Sequence, residues 1–285
     1  MADLYKNMID LHTHSTESDG TLTPEELMRH AKEAGLSAIA LTDHDTISGI
    51  KRAMPVAKEL RLELVPGIEL STDYRGTEVH ILGYYIDVEH PEFLAKLQEF
   101  VDSRDRRNEK MVLLLQQEGF DITMEDLFRE NPDSVITRAH FARYLVEHGF
   151  VKDRETVFRK YLGDNCRCYV PREKITPFEA VRLIQLGGGL AFFAHPILCH
   201  MNHDRLRFLI HNLKDAGLAG LEAIYSMNMP GDQRNLLKYA KEFNLLISGG
   251  SDFHGANKPQ IHLGTGKGNL HIPYKILERI KLQLH

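Results

Sequence analysis

Short apolar runs alternate with longer amphipathic stretches over the first 90 residues and again after residue 175. Residues 8–12 are apolar and strand-like. Thr23-Pro24-Glu25-Glu26 then predicts a helix start. Thr23 suits the N-cap, Pro24 the first helical position, and Glu26 closes a capping box. Leu27, Ala31 and Ala34 share one face of that helix, and Gly35 stops it. Residues 37–42 predict the next strand. Residues 48–60 predict a helix with Ile50, Ala53, Met54, Ala57 and Leu60 as its buried stripe. Residues 62–70 and 77–86 predict strands, split by a polar turn at 73–76.

The middle of the chain follows a different pattern. Residues 91–118 predict one long helix, with Phe93, Leu97, Phe100, Val101 and later residues 111–115 apolar. Shorter helices are predicted at 123–129, 137–147 and 153–162, with no strand pattern between them. Alternation resumes at Thr176-Pro177-Phe178-Glu179, a second capping-box start. There follow a strand at 190–194, a helix at 204–216, a strand at 219–225, a helix at 231–243 and a strand at 245–249. About seven strands with helical crossovers predict a parallel α/β barrel or an open sheet. Residues 1–90 and 175–285 then form the barrel, and residues 91–174 a helical insertion.

Bulk properties narrow this picture. The chain has 285 residues, 42% hydrophobic and 26% charged, an ordinary globular composition. No apolar run approaches the roughly 20 residues of a bilayer span, and the polar start has no signal-peptide pattern. Cys166, Cys168 and Cys199 cannot all pair, which suits reduced thiols and a cytoplasmic location. The formal charge of −5 disfavours a stable duplex nucleic-acid partner. Charge is uneven, however. Residues 134–174 carry nine Lys and Arg against five Asp and Glu. That stretch either faces an anionic ligand or is a solvated helical face.

Sixteen histidines are many, and their placement is informative. The run before His12-Thr13-His14 ends there, and the next strand ends in Thr42-Asp43-His44-Asp45. Further runs lead to Gly67-Ile68-Glu69, Val79-His80, Ala194-His195-Pro196 and Ser251-Asp252-Phe253-His254. Sites in α/β barrels and open α/β sheets form at the C-terminal edge of the strands. His12 and His14, like Asp252 and His254, are two apart, so each pair points to one side of a strand. A single His-x-His is more often a satisfied core feature. Two such pairs with His44, Glu69, His80 and His195 point to metal ligation.

These elements, with Asp10-Leu11 and Ser18-Asp19-Gly20, resemble the PHP (polymerase and histidinol phosphatase) domain family. The resemblance implies a distorted seven-stranded (β/α) barrel, TIM-barrel-like, with an inserted helical subdomain. It implies a site of two or three divalent metals, manganese above iron or zinc. One metal would take His12, His14, Glu69 and Asp252. A second would take Asp19, His44 and His254, and a third Glu69, His80 and His195, with Glu69 bridging. It also implies a metal-bridging hydroxide as nucleophile. No side-chain nucleophile is called for, and the chain has no G-x-S-x-G elbow or P-loop. Asp43 and Asp45 flank His44, where one can orient a ligand from behind.

Within the family, the chain is most similar to the branch acting on nucleoside 3′,5′-bisphosphates and on the 5′ ends of short RNAs. Ile136-Thr137-Arg138-Ala139-His140 and Tyr161-Leu162-Gly163-Asp164 before Tyr169-Val170-Pro171 carry that likeness. It implies Arg138, His140 and Arg172 as substrate-binding groups and a small nucleotide or short RNA as substrate. Arg143 and Lys160 read instead as solvated cations. Three alternatives stand beside this expectation: a phosphatase for histidinol phosphate or another small monoester, a nuclease that processes oligonucleotides or DNA, and a metal-stapled interaction module without catalysis.

Overall fold

The computed structural model describes residues 7–132, 134–171 and 175–284. Seven strands lie in sequence order in one sheet: β1 (Ile9–Asp10), β2 (Ala38–Leu41), β3 (Glu63–Tyr74), β4 (Thr77–Tyr84), β5 (Leu190–Phe193), β6 (Gly220–Tyr225) and β7 (Leu246–Gly250). The first and last strands meet, with Leu11 N donating to Gly249 O at 3.1 Å and Asp252 N to His12 O at 2.9 Å. The sheet thus nearly closes into a seven-stranded barrel.

One expectation is corrected. The barrel is not all parallel, because β4 runs antiparallel to both β3 and β5. The cause is local. Only Arg75 and Gly76 separate β3 from β4, and both have positive φ, 56° and 79°. A link that short joins only antiparallel strands, and positive φ at both central residues matches the strand twist. Asp73 Oδ1 accepts from Gly76 N at 3.0 Å and fixes the turn.

Helices α1 (Pro24–Glu33), α2 (Ser48–Leu60), α7 (Pro177–Leu186), α8 (His203–Asp215) and α9 (Pro230–Glu242) cover the outside of the barrel. Thr23 and Thr176 make the capping boxes their sequences predict. In α2 Ile50, Ala53 and Ala57 are buried as the stripe predicts, and Leu60 packs partly buried beside them. Met54, the fifth predicted member, stands 48% exposed. Inside the barrel lie Ile9, Leu11, Ala38, Ala40, Val65, Leu82, Tyr84, Phe192 and Ala194. A short C-terminal helix, α10 (Lys275–Lys281), packs Ile276, Leu277 and Ile280 onto this group. That helix is not among the elements the sequence pattern predicts.

Between β4 and α7 run α3 (Pro91–Gln117), α4 (Met124–Glu130), α5 (Arg138–Glu147) and α6 (Arg154–Val157), the last passing into a π-type turn at Phe158–Leu162. The long helix α3 serves two cores. Phe93, Leu97 and Phe100 pack with the barrel's outer layer, whereas Met111 and Leu115 join Leu127, Phe141, Leu145 and Val157 in a cluster of their own. Among the described residues, no helix is long and apolar enough to cross a membrane.

Candidate metal centre

Strand geometry decides which side chains reach the barrel mouth. Alternate residues of a strand share a face. On β3 the inward series runs Val65, Gly67, Glu69, and on β4 it runs Tyr84, Leu82, His80. The apolar members lie deep and the ligand-type members at one end. His12 and His14 follow β1, His44 follows β2, His195 follows β5, and Asp252 and His254 follow β7. His195 and Asp252 have positive φ, 27° and 59°. That sparsely occupied region turns them off the strand direction, as is common at functional sites. Gly250 is required where it stands, because a Cβ there would come within 2.2 Å of His12 Cβ.

Glu69 is the hub. Its Oε2 lies 3.1 Å from His12 Nε2 and 3.2 Å from both His14 Nε2 and His44 Nδ1. Its Oε1 lies 2.8 Å from His195 Nε2 and 2.9 Å from His80 Nδ1. Asp252 Oδ1 approaches His14 Nε2 at 3.5 Å and His12 Nε2 at 3.7 Å. Asp19 Oδ1 lies 3.2 Å from His254 Nε2, and Asp19 Oδ2 lies 3.8 Å from His44 Nε2. Among the described residues, four groups have ligand atoms within 4.8 Å of one another: His14/Asp19/His44/His254, His12/His14/Asp252, His12/Glu69/His195 and His44/Glu69/His80. His80 and His195 both approach Glu69 Oε1, but they fall in different groups, His195 with His12 and His80 with His44.

These residues fit divalent metals. Ligand atoms around a cation at about 2.1 Å stand about 3.4 Å apart in a tetrahedral shell, which is the spacing seen here. Asp19 Oδ1, His44 Nδ1, Glu69 Oε2, His80 Nε2 and His195 Nδ1 are buried without a hydrogen-bond partner. Buried polar atoms are normally satisfied, so Asp19 Oδ1, His44 Nδ1 and Glu69 Oε2, which face other members of the cluster, ask for a cation, while the orphaned nitrogens of His80 and His195 lie across the ring from Glu69. The carboxylates and the burial set the charge of the histidines in different directions. Burial opposes charge on His14, yet hydrogen bonds with Asp252 and Glu69 outweigh it and raise its pKa to about 9. His80, equally desolvated, is raised to about 10 by Glu69 and Glu78. Burial drives His44 down to about 3 against the pull of Glu69 and Asp19. Glu69 stays well below the usual carboxylate range despite its burial, because His12, His44 and His80 surround it.

Several supporting groups are absent from the sequence-derived set. Glu222, fully buried on β6, takes His12 Nδ1 at 3.0 Å and His195 N at 2.7 Å. A lone acid inside the apolar run Gly-Leu-Glu-Ala-Ile-Tyr was its signal. Asp10 accepts from Ser251 N and Gly264 N, each at 2.8 Å, and ties β1 to the loop bearing Asp252. Tyr225 donates to Asp252 Oδ2 at 2.9 Å, and Lys258 Nζ reaches the same oxygen at 2.7 Å. Lys258 sits in a loop with nothing in its local sequence to mark it. Of the two acids beside His44, Asp43 holds Ser15 and Ser18 ahead of Asp19, and Asp45 accepts from Ser71 N and Arg104 Nε.

A cavity of about 440 Å³ opens over the cluster, lined by His44, Glu69, His80, Arg138, His195 and Lys258 among others. A second, of about 370 Å³, continues past Arg104, Thr137, Arg154 and Leu198. Arg138 lines both. Its guanidinium pairs with Glu78 and, at 3.2 Å, with Asp164, and lies over the Tyr169 ring. His140 is placed differently: it is buried, and its Nδ1 accepts from Thr137 N at 3.0 Å in the capping box of α5. Arg143 binds Asn131, Lys160 is exposed, and Arg172 lies outside the described residues.

Known proteins agree with this architecture. The PHP domain model matches residues 10–254. A 5′-3′ exoribonuclease from Haemophilus influenzae is 40% identical over 246 residues, 86% of this chain and 89% of that one. A 3′,5′-nucleoside bisphosphate phosphatase from Chromobacterium violaceum is 36% identical over 248 residues, 86% and 87% of the two chains. The solved structure of a Chromobacterium violaceum protein described as an amidohydrolase, with sulfate bound and no metal, superimposes with a TM-score of 0.86 at 33% identity, covering 96% of each chain. With histidines and carboxylates from five other strands gathered around Glu69 of β3, and a family model spanning most of its length, this chain belongs to the PHP domain family.

Proposed function

We propose that the protein is a phosphoric ester hydrolase dependent on two or three divalent metal ions, manganese foremost. It removes the 3′-phosphate from nucleoside 3′,5′-bisphosphates and trims short RNAs from their 5′ ends. The observation that carries this reading is the convergence of His12, His14, Asp19, His44, Glu69, His80, His195, Asp252 and His254 beneath a chamber walled by Arg138 and Lys258. The activities named for the relatives at 40% and 36% identity support the substrate class. Three unpaired cysteines suit action in the cytoplasm.

Divalent cations bound here would lower the pKa of a water toward about 7 and offset charge on the phosphoryl oxygens. The chain's own residues supply the rest. Glu222 accepts the Nδ1 proton of His12, which leaves His12 Nε2 with its lone pair toward Glu69 and Asp252. Lys258 adds positive charge beside Asp252, where a phosphoryl oxygen would approach. Arg138, its fork oriented by Glu78 and Asp164, offers paired donors to the substrate's second phosphate. His140 serves by capping the helix that starts with Arg138. Residues 91–174 act as the subdomain covering substrate on the barrel of residues 1–90 and 175–285.

The deciding experiment strips the protein with a chelator, restores Mn²⁺, and follows phosphate release. Substrates are an adenosine bisphosphate, 5′-phosphorylated RNAs of increasing length, and histidinol phosphate. Turnover is expected only with metal, and on the first two. Preference for histidinol phosphate, or turnover that survives complete metal removal, overturns the reading. A charged hydrogen bond is worth about 1.5–3 kcal/mol. Arg138→Ala is accordingly expected to raise KM for the bisphosphate roughly ten- to a hundredfold while kcat changes little. Steady-state kinetics against a 3′-monophosphate, which lacks the second phosphate, should show almost no such penalty.

A further inference from the structure

The segment carrying Asp19 is held from outside the barrel. Ser134 Oγ donates to Thr16 O at 2.5 Å, and Val135 N donates to Glu17 O at 2.9 Å. Thr137, the N-cap of α5, then places its Oγ1 3.0 Å from Asp19 Oδ2. The direction of that hydrogen bond is determined. Thr137 Oγ1 accepts from Ala139 N at 3.2 Å, and the nearby His140 Nδ1 already accepts from Thr137 N. The single hydroxyl proton of Thr137 therefore goes to Asp19. Both groups are buried, at 4% exposure each.

From the other side, Asn257 Nδ2 donates to Asp19 O at 2.7 Å. Arg154, on α6, clamps Asn257 with bonds of 3.0 Å to its backbone oxygen and 2.8 Å to its Oδ1. Asp19 is thus fixed through its carboxylate by α5 and through its backbone by α6. With Oδ2 engaged, Oδ1 is left buried, without a hydrogen-bond partner, and aimed at His254 and His14.

We propose that Thr137 is a positioning residue that holds the Asp19 carboxylate for the metal position formed with His14, His44 and His254, so that docking of the helices after β4 and metal loading at that position are one coupled event. This rests on the metal-centre reading above. Supporting groups of this kind typically carry about ten- to a hundredfold in metal affinity. Coupling of this type is reciprocal, so metal bound at Asp19 also steadies the seam at residues 134–137.

The test titrates metal-stripped full-length protein with Mn²⁺ by calorimetry and follows exchange of the Val135 amide with and without Mn²⁺. Thr137→Val is expected to weaken one metal position by about ten- to a hundredfold and to lose the Mn²⁺-dependent protection of Val135. Thr137→Ser should restore both. Thr123→Val is the control, because Thr123 caps α4 in the same manner without touching Asp19. It should leave Mn²⁺ binding unchanged. Asn257→Ala, which spares the α5 cap, should weaken the same position. If wild type and Thr137→Val bind Mn²⁺ alike, or if Thr123→Val weakens binding as much, the positioning role is wrong. If wild type binds no Mn²⁺ at all, the metal centre itself fails and this inference with it.

Discussion

His14→Ala and Asp252→Ala are each expected to reduce phosphate release by about three orders of magnitude or more, because the site would lose the divalent charge that brings a water from pKa 15.7 to about 7. His14 is the more connected of the two. Its Nε2 faces Glu69 and Asp252 at 3.2 and 3.5 Å, its Nδ1 faces Asp19 at 3.8 Å, and it belongs to two of the ligand groups. Asp252 contributes charge. Removing it leaves Lys258 and Tyr225 without the carboxylate they share, so bound metal should fall together with turnover. Elemental analysis of each variant beside its kcat separates loss of metal from loss of chemistry alone. Near-normal turnover in either variant would be incompatible with the proposed centre.

Glu222→Ala is expected to weaken Mn²⁺ binding by about ten- to a hundredfold, as loss of a carboxylate behind a ligating histidine does elsewhere. It should also destabilise the fold by about 1–3 kcal/mol, the cost of a buried polar group left without its partner. Two donors lose their acceptor at once, the Nδ1–H of His12 and the backbone N–H of His195. Glu222→Gln keeps an oxygen of the same shape and should recover most of the stability while recovering less of the metal affinity. Mn²⁺ titration and urea denaturation of both variants measure the two effects separately. Turnover of Glu222→Ala restored by excess Mn²⁺ is the expected signature. A variant that binds Mn²⁺ as tightly as wild type would remove Glu222 from any supporting role.

The sequence by itself determined the kind of element at most positions, because hydrophobic period and capping chemistry are local. Thr23 and Thr176 announced their helices, and His12, Glu69 and His254 stood out as polar residues closing apolar runs. Strand direction was less legible, although the antiparallel β4 follows from the two-residue link at Arg75 and Gly76. Only the tertiary structure decided which oxygen of Glu69 meets which imidazole, and that Glu222 and Lys258 belong beside the centre. The same holds for Arg138 facing the chamber while His140, two residues on, is turned into a helix cap. Such assignments depend on distances between residues as much as 210 positions apart. Local pattern carries no information about them, since barrel closure and the docking of α5 and α6 set those distances only when the chain has folded.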